Sequence, residues 1–245
     1  MFTINSKPLC RKITFHSDGY LLSGTLHLPD ADRPPVVIGS HGLLSSSESP
    51  KQQELAALCN RYGIAYFRFD HRGCGASQGY FPEVTSLKSR TADLRNAVDA
   101  VRRRPDLGQR IGLFGSSMGG ATCLAAAREV AAEAVVIYAA PVRGGNIQRV
   151  RIQDDADGEM ASLPDTFSLQ FDVTEKLNGI HNILIFHGDA DTVVPFADAR
   201  EIHALTGEPK RLIALEKGDH RMSRKDHQQL FAREAAQWFA SGLLR

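Results

Sequence analysis

Ser117 stands at the centre of Gly115-Ser116-Ser117-Met118-Gly119, between a run from Arg110 to Phe114 that reads as a buried strand and an Ala-rich stretch that reads as a helix. A hydroxyl on such a strand-to-helix turn is thrust out of the sheet. Its backbone is strained and two segments pass close by, so the positions two before and two after need the smallest residue. Gly115 and Gly119 meet that demand, whereas Ser116 has Phe114 two residues before it. Ser117 is therefore the candidate nucleophile. A serine hydroxyl attacks poorly at neutral pH; it needs an imidazole to take its proton and a carboxylate to hold that ring in the right tautomer.

Both groups follow later in the chain. After the apolar run Ile183 to Phe186 comes His187-Gly188-Asp189-Ala190-Asp191-Thr192-Val193-Val194-Pro195, and after Arg211 to Leu215 comes Glu216-Lys217-Gly218-Asp219-His220. Of the nine histidines, His220 is the candidate base, because it lies between the last strand and the final helix. His16 and His27 belong to an early hairpin, and His203 and His227 to helices. Asp191 is preferred as the orienting acid over Asp189, which directly follows Gly188 and suits a side-chain bond that ties the turn. Asp219, adjacent to the base, is a poor orienter of its neighbour's ring and reads as a loop constraint.

Acyl transfer puts negative charge on the former carbonyl oxygen, and each preorganised amide aimed at it lowers the barrier by roughly 3 kcal/mol. One such donor is the N–H of Met118, at the amino end of the helix after Ser117. The other is expected from His41-Gly42-Leu43-Leu44, with Leu43 as the donor and His41 as a buttress of that loop. The Gly-rich segment Asp70-His71-Arg72-Gly73-Cys74-Gly75-Ala76-Ser77 lacks the G-x-x-x-x-G-K-[ST] pattern of a phosphate loop. A turn stabilised by Asp70 and Arg72 near the mouth of the site explains it better.

Positioning these groups requires a sheet whose strands all end at one rim. Lys12 to His16 and Tyr20 to Leu28 alternate around Ser17-Asp18-Gly19 and predict an antiparallel hairpin. Val36 to Gly39, Ala65 to Phe69, Ile111 to Phe114, Ala134 to Tyr138, Ile183 to Phe186 and Arg211 to Leu215 are short apolar runs, as parallel strands covered on both faces require. Helix signals lie between them. Ser49-Pro50-Lys51-Gln52 reads as a capping serine with Pro at the first position and Gln at the third. Leu87, Leu94, Ala97, Val98 and Val101 follow helical spacing, and a final helix carries Leu230, Phe231, Trp238 and Phe239. The alternation predicts an α/β fold: a mainly parallel sheet of about eight strands, with helices on both faces and ligands beyond the strands' carboxyl ends.

Taken together, the serine elbow, the His41-Gly42 loop, Asp70-x-Arg72-Gly73-x-Gly75-x-Ser77, His187-Gly188-x-x-Asp191 and Gly218-x-His220 resemble the α/β-hydrolase superfamily, from about Val36 to the carboxyl end. Within it, the chain is similar to esterases, monoacylglycerol lipases and cinnamoyl or feruloyl esterases. That resemblance implies a serine nucleophile, an acyl-enzyme, no cofactor and no metal. It also puts specificity in the insertion between the strands near Tyr138 and Ile183. Here that stretch, about residues 142–180, is short and polar, with Arg143, Arg149, Arg151, Asp154, Asp155 and Asp157, so a small cap is expected. The resulting expectation is a carboxylesterase for short to medium acyl chains acting on a small-molecule ester. Those arginines could attract an anionic leaving group such as coenzyme A, which makes a thioesterase the alternative. A peptidase of the same fold commonly carries an extra amino-terminal domain, for which the chain has no room, and a non-catalytic hydrolase-fold binding protein would use the pocket without turnover.

Composition narrows the remaining classes. With 245 residues and 42% apolar content, residues 1–245 are expected to form a single domain. A net charge of +1 gives no field to gather nucleic acid. The amino terminus lacks the apolar core of a secretory signal, and the longest apolar run, Ala134 to Val142, is too short to span a bilayer, so a cytoplasmic protein is expected. Cys10, Cys59, Cys74 and Cys123 are scattered without C-x-x-C pairing, against both a zinc site and a disulfide framework. Oligomeric state is not legible.

Overall fold

The computed structural model describes residues 9–146 and 169–244. A hairpin of β1 (Leu9–Ser17) and β2 (Tyr20–Leu28) opens the chain. It is followed by β3 (Val36–Ser40), α1 (Pro50–Arg61), β4 (Ala65–Phe69), the single turn α2 (Phe81–Val84), α3 (Leu87–Arg102), β5 (Ile111–Ser116), α4 (Met118–Ala126) and β6 (Ala134–Tyr138). Then come α5 (Thr174–Leu177), β7 (Ile183–Gly188), α6 (Phe196–Leu205), β8 (Lys210–Leu215) and α7 (Lys225–Leu243).

These strands make one eight-stranded sheet in the order β1-β2-β4-β3-β5-β6-β7-β8. The hairpin is antiparallel and joins β4 antiparallel, whereas β4, β3, β5, β6, β7 and β8 are mutually parallel. Alternation of side chains sends Ile38, Leu113, Ile137 and Ile185 to one face, against Leu94 and Val98 of α3, Cys123 of α4 and Ile202 of α6. Val37, Phe114, Val136 and Leu184 go to the other, against Leu55 of α1 and Phe231 and Phe239 of α7. Burial on both faces is why these strands read as continuous apolar runs. The expected strands are present, several longer than the sequence suggests: β5 and β7 run on to Ser116 and Gly188. Register carries the loop after β3 to the elbow, since Ser40 lies opposite Gly115.

One local expectation needs correction. Ser49 is the N-cap of α1 but its side chain makes no cap bond. Gln52, which should have completed the cap, turns into the core, where its Oε1 accepts from the Tyr66 hydroxyl at 3.3 Å. The reciprocal capping box is at α3 instead, between Ser86 and Ser89. All four cysteines are free, with Cys59, Cys74 and Cys123 buried. Burial pushes the Cys74 thiol up, consistent with a small residue packed in its turn.

Candidate active site

The elbow is as tight as its glycines imply. Ser117 has φ 52° and ψ −123°, a conformation that costs a non-glycine residue about 1–3 kcal/mol and persists only when the surroundings impose it. They do. The Ser117 N–H donates to Tyr138 O at 2.8 Å and Ser117 O accepts from the Gly120 N–H at 2.8 Å. A Cβ on Gly115 would lie 2.3 Å from Gly119 O, and one on Gly119 would lie 2.1 Å from Ser40 O.

His220 Nε2 is 3.0 Å from Ser117 Oγ, and His220 Nδ1 is 2.8 Å from Asp191 Oδ2. The other carboxylate oxygen, Asp191 Oδ1, accepts from the Val193 and Val194 N–H groups at 2.8 and 2.9 Å. Burial alone would raise this carboxyl's pKa. Hydrogen bonds from His187 and His220 and the turn amides outweigh that and hold it well below the usual carboxylate range. His187, whose role the sequence left open, thus shares the acid: its Nε2 lies 2.9 Å from Val194 O and 3.3 Å from Asp191 Oδ2. Asp189 does not tie its own turn but bridges to the loop after β8, accepting from the Lys217 N–H at 2.6 Å. Asp219 constrains the histidine loop, its side chain accepting from the Ser223 N–H at 2.9 Å. That loop is also held by the Tyr138 hydroxyl, which donates to Asp219 O, and by Lys51 Nζ, 3.1 Å from Arg221 O.

Met118 opens α4, so its N–H is among the four that a helix leaves without an internal acceptor. Gly42 lies beside the nucleophile, since a Cβ built on it would be 3.8 Å from Ser117 Cβ. Leu43 follows it in the same turn. His41 buttresses this loop from within. It is buried, its Nε2 accepts from the His71 N–H at 3.1 Å, and its Nδ1 therefore carries the proton that it donates to Gly42 O at 2.7 Å. Asp70 fixes the neighbouring turn as expected, accepting from the Ser47 and Ala76 N–H groups at 2.7 and 3.0 Å.

The sequence reading missed what lies beneath. Arg90 is 1% exposed and donates through Nη2 to the His41 and Gly42 carbonyls. Asp93, fully buried, accepts from Arg72 Nε at 2.8 Å, Arg72 Nη2 at 2.6 Å and Ser17 Oγ at 2.7 Å. A signal existed. Arg90 falls three residues after Leu87 and four before Leu94, on the apolar stripe of α3, where a charge needs a buried partner.

A family model described as serine aminopeptidase, S33, matches residues 32–181. The chain belongs to the serine aminopeptidase S33 family. This S33 hydrolase is 28% identical over 214 residues to the uncharacterized protein YfhR of Salmonella typhimurium, covering 84% of the chain and 70% of YfhR. It is 26% identical over 222 residues to the mitochondrial palmitoyl-protein thioesterase ABHD10 of Bos taurus, covering 81% of the chain and 71% of ABHD10. In structure it matches Est1E of Butyrivibrio proteoclasticus, solved with bound ferulic acid, at a TM-score of 0.79 and 19% identity over 95% of the chain and 100% of Est1E. The fold is that of an α/β-hydrolase. The family match includes Ser117, Met118 and Leu43 and ends before Asp191 and His220, whose places rest on geometry.

In this S33 hydrolase the chain either side of residues 147–168 is paired. The Gly144 N–H donates to Phe171 O at 3.0 Å and the Val173 N–H to Val142 O at 3.0 Å. Arg143 bonds Glu201 Oε1 at 2.7 Å, Thr174 Oγ1 at 2.9 Å and Asp172 Oδ2 at 3.1 Å. One of the arginines expected to attract an anion is therefore committed to carboxylates. Arg149, Arg151, Asp154, Asp155 and Asp157 lie outside the described residues. Among the described residues, no helix is long and apolar enough to cross a membrane.

Proposed function

We propose that this chain is a carboxylesterase that cleaves small-molecule esters of short to medium acyl chain through an acyl-enzyme on Ser117. The observation that carries the reading is the continuous path Ser117 Oγ, His220 Nε2, His220 Nδ1, Asp191 Oδ2, with steps of 3.0 and 2.8 Å. His220 takes the hydroxyl proton as Ser117 Oγ attacks the ester carbonyl, and Asp191 steadies the imidazolium. The oxyanion meets the N–H groups of Leu43 and Met118. His220 then returns the proton to the leaving alkoxide, and water attacking the acyl-enzyme repeats the cycle. No cofactor enters this scheme. The chain-length preference rests on the short, polar 142–180 insertion, read as a small cap on a single 1–245 hydrolase unit.

A thioesterase is the second reading, favoured by the likeness to a protein named as a palmitoyl-protein thioesterase. One panel separates the readings: p-nitrophenyl esters from two to sixteen carbons, acyl-coenzyme A thioesters and aminoacyl p-nitroanilides, the last probing the peptidase activity in the family's description. Rates that peak at short or medium esters support the proposal, while rates still rising at long chains, or thioesters or anilides preferred, replace it. Ser117→Ala should lose at least about 10³-fold in kcat with folding intact, and unchanged turnover removes Ser117 as nucleophile.

A further inference from the structure

We propose that Arg90 is a positioning residue for the oxyanion hole: with His41, it holds the Gly42 carbonyl so that the N–H of Leu43, on the same rigid peptide plane, faces Ser117. The proposal rests on the hydrolase reading above and deepens it.

A trans peptide is planar, with its C=O and N–H pointing in opposite directions. Fixing the Gly42 oxygen therefore fixes the direction of the Leu43 N–H. Two buried donors do so: His41 Nδ1 at 2.7 Å and Arg90 Nη2 at 3.3 Å. Arg90 Nη2 also bonds the preceding carbonyl, His41 O, so one guanidinium nitrogen spans the two peptides that lead into the turn. The histidine is held in its Nδ1–H tautomer, because the His71 N–H donates to His41 Nε2.

Packing does not explain the guanidinium. Its Nε and Nη1 reach no oxygen or nitrogen acceptor among the described residues, and beside the group Cys74 supplies only a weak thiol acceptor. Burial draws its pKa down to about 10, against the opposing pull of Cys74 and Asp93, so the group stays charged at neutral pH. A buried charge with donors left over is costly, and an apolar side chain of similar volume fills such a site more cheaply. What the arginine supplies that an apolar residue cannot is the pair of charge-assisted bonds to the loop.

The test compares Arg90→Met and Arg90→Lys with wild type, using a short p-nitrophenyl ester and an alkyl trifluoromethyl ketone. The ketone's hemiketal on Ser117 places an oxyanion where the ester intermediate would. Arg90→Met is expected to lower kcat about 10- to 100-fold with KM within about twofold, and to weaken the ketone by the same factor. Arg90→Lys, which keeps one charged donor, is expected to recover part of both. A kcat within twofold of wild type in Arg90→Met overturns the proposal. So does a fall in kcat with ketone affinity unchanged, because the damage then lies outside the hole. If Arg90→Met does not fold, the same comparison on Arg90→Lys and on His41→Gln, which disturbs the other donor to Gly42 O, decides the matter. Wild-type protein that neither turns over an ester nor takes a fluorophosphonate on Ser117 sinks the hydrolase reading itself. Active wild type with indifferent Arg90 variants sinks only this one.

Discussion

Asp189 and Asp191 sit two residues apart in one turn and do different work. The Asp191 side chain is fully buried and receives His220 Nδ1 and two backbone amides, whereas Asp189 is exposed and accepts the Lys217 N–H. Asp191→Asn should therefore lower kcat by about 10³–10⁴-fold, because an amide no longer holds the ring in the productive tautomer. Asp189→Asn, which keeps an acceptor for the Lys217 N–H, should leave kcat close to wild type; steady-state kinetics on one ester checks both. Ser117, Asp191 and His220, the proposed catalytic groups, could be picked out because each follows a strand closely in a short segment that also holds glycine. Arg90 and Asp93 were not, because their partners, the His41 carbonyl and Arg72, are distant in sequence and only the packing of α3 brings them together. A charge on an apolar stripe says that a partner exists, not which one.

At the level of elements, the two serine caps make a clean contrast. Ser86→Ala should cost about 1 kcal/mol in thermal or urea unfolding, since its hydroxyl accepts the Ser89 N–H at 3.0 Å. Ser49→Ala should fall within about 0.5 kcal/mol, because its side chain bonds nothing in the cap. The cap at Ser49 was misread because Gln52 has a better use: Tyr66 needs a partner for its buried hydroxyl, and tertiary demand overrides the local motif. The elbow is less forgiving. Gly119→Ala pushes a methyl to 2.1 Å from Ser40 O, a backbone atom that cannot step aside without moving β3. It should destabilise the fold by roughly 3 kcal/mol and displace the Ser117 hydroxyl, visible as slowed fluorophosphonate labelling of whatever protein remains folded.

For the molecule as a whole, acid should act first through buried imidazoles. Burial, reinforced by Arg90, lowers His41 well below its usual value and His71 to about 3. Such a ring takes up its proton only after unfolding, so stability is full above the unfolded value near 6.5 and falls as pH drops below it. Each group contributes up to about 1.4 kcal/mol per pH unit until its folded pKa is passed. Asp93 acts lower. Burial opposes ionisation there, but His71 and Arg72 bring its pKa down to about 2, so its contribution fades only as pH falls from near 4 toward 2. Urea midpoints between pH 7 and 5 should drop, and His71→Gln should flatten that slope by about 1.4 kcal/mol per unit; an unchanged slope refutes the account. The paired stems at Val142 and Val173 have a different consequence. Backbone bonds at Val142–Val173 and Gly144–Phe171 hold the two strands of chain side by side, so any flexible insert placed between them starts and finishes on the frame, and each doubling of its length adds only about 0.6 kcal/mol of closure entropy.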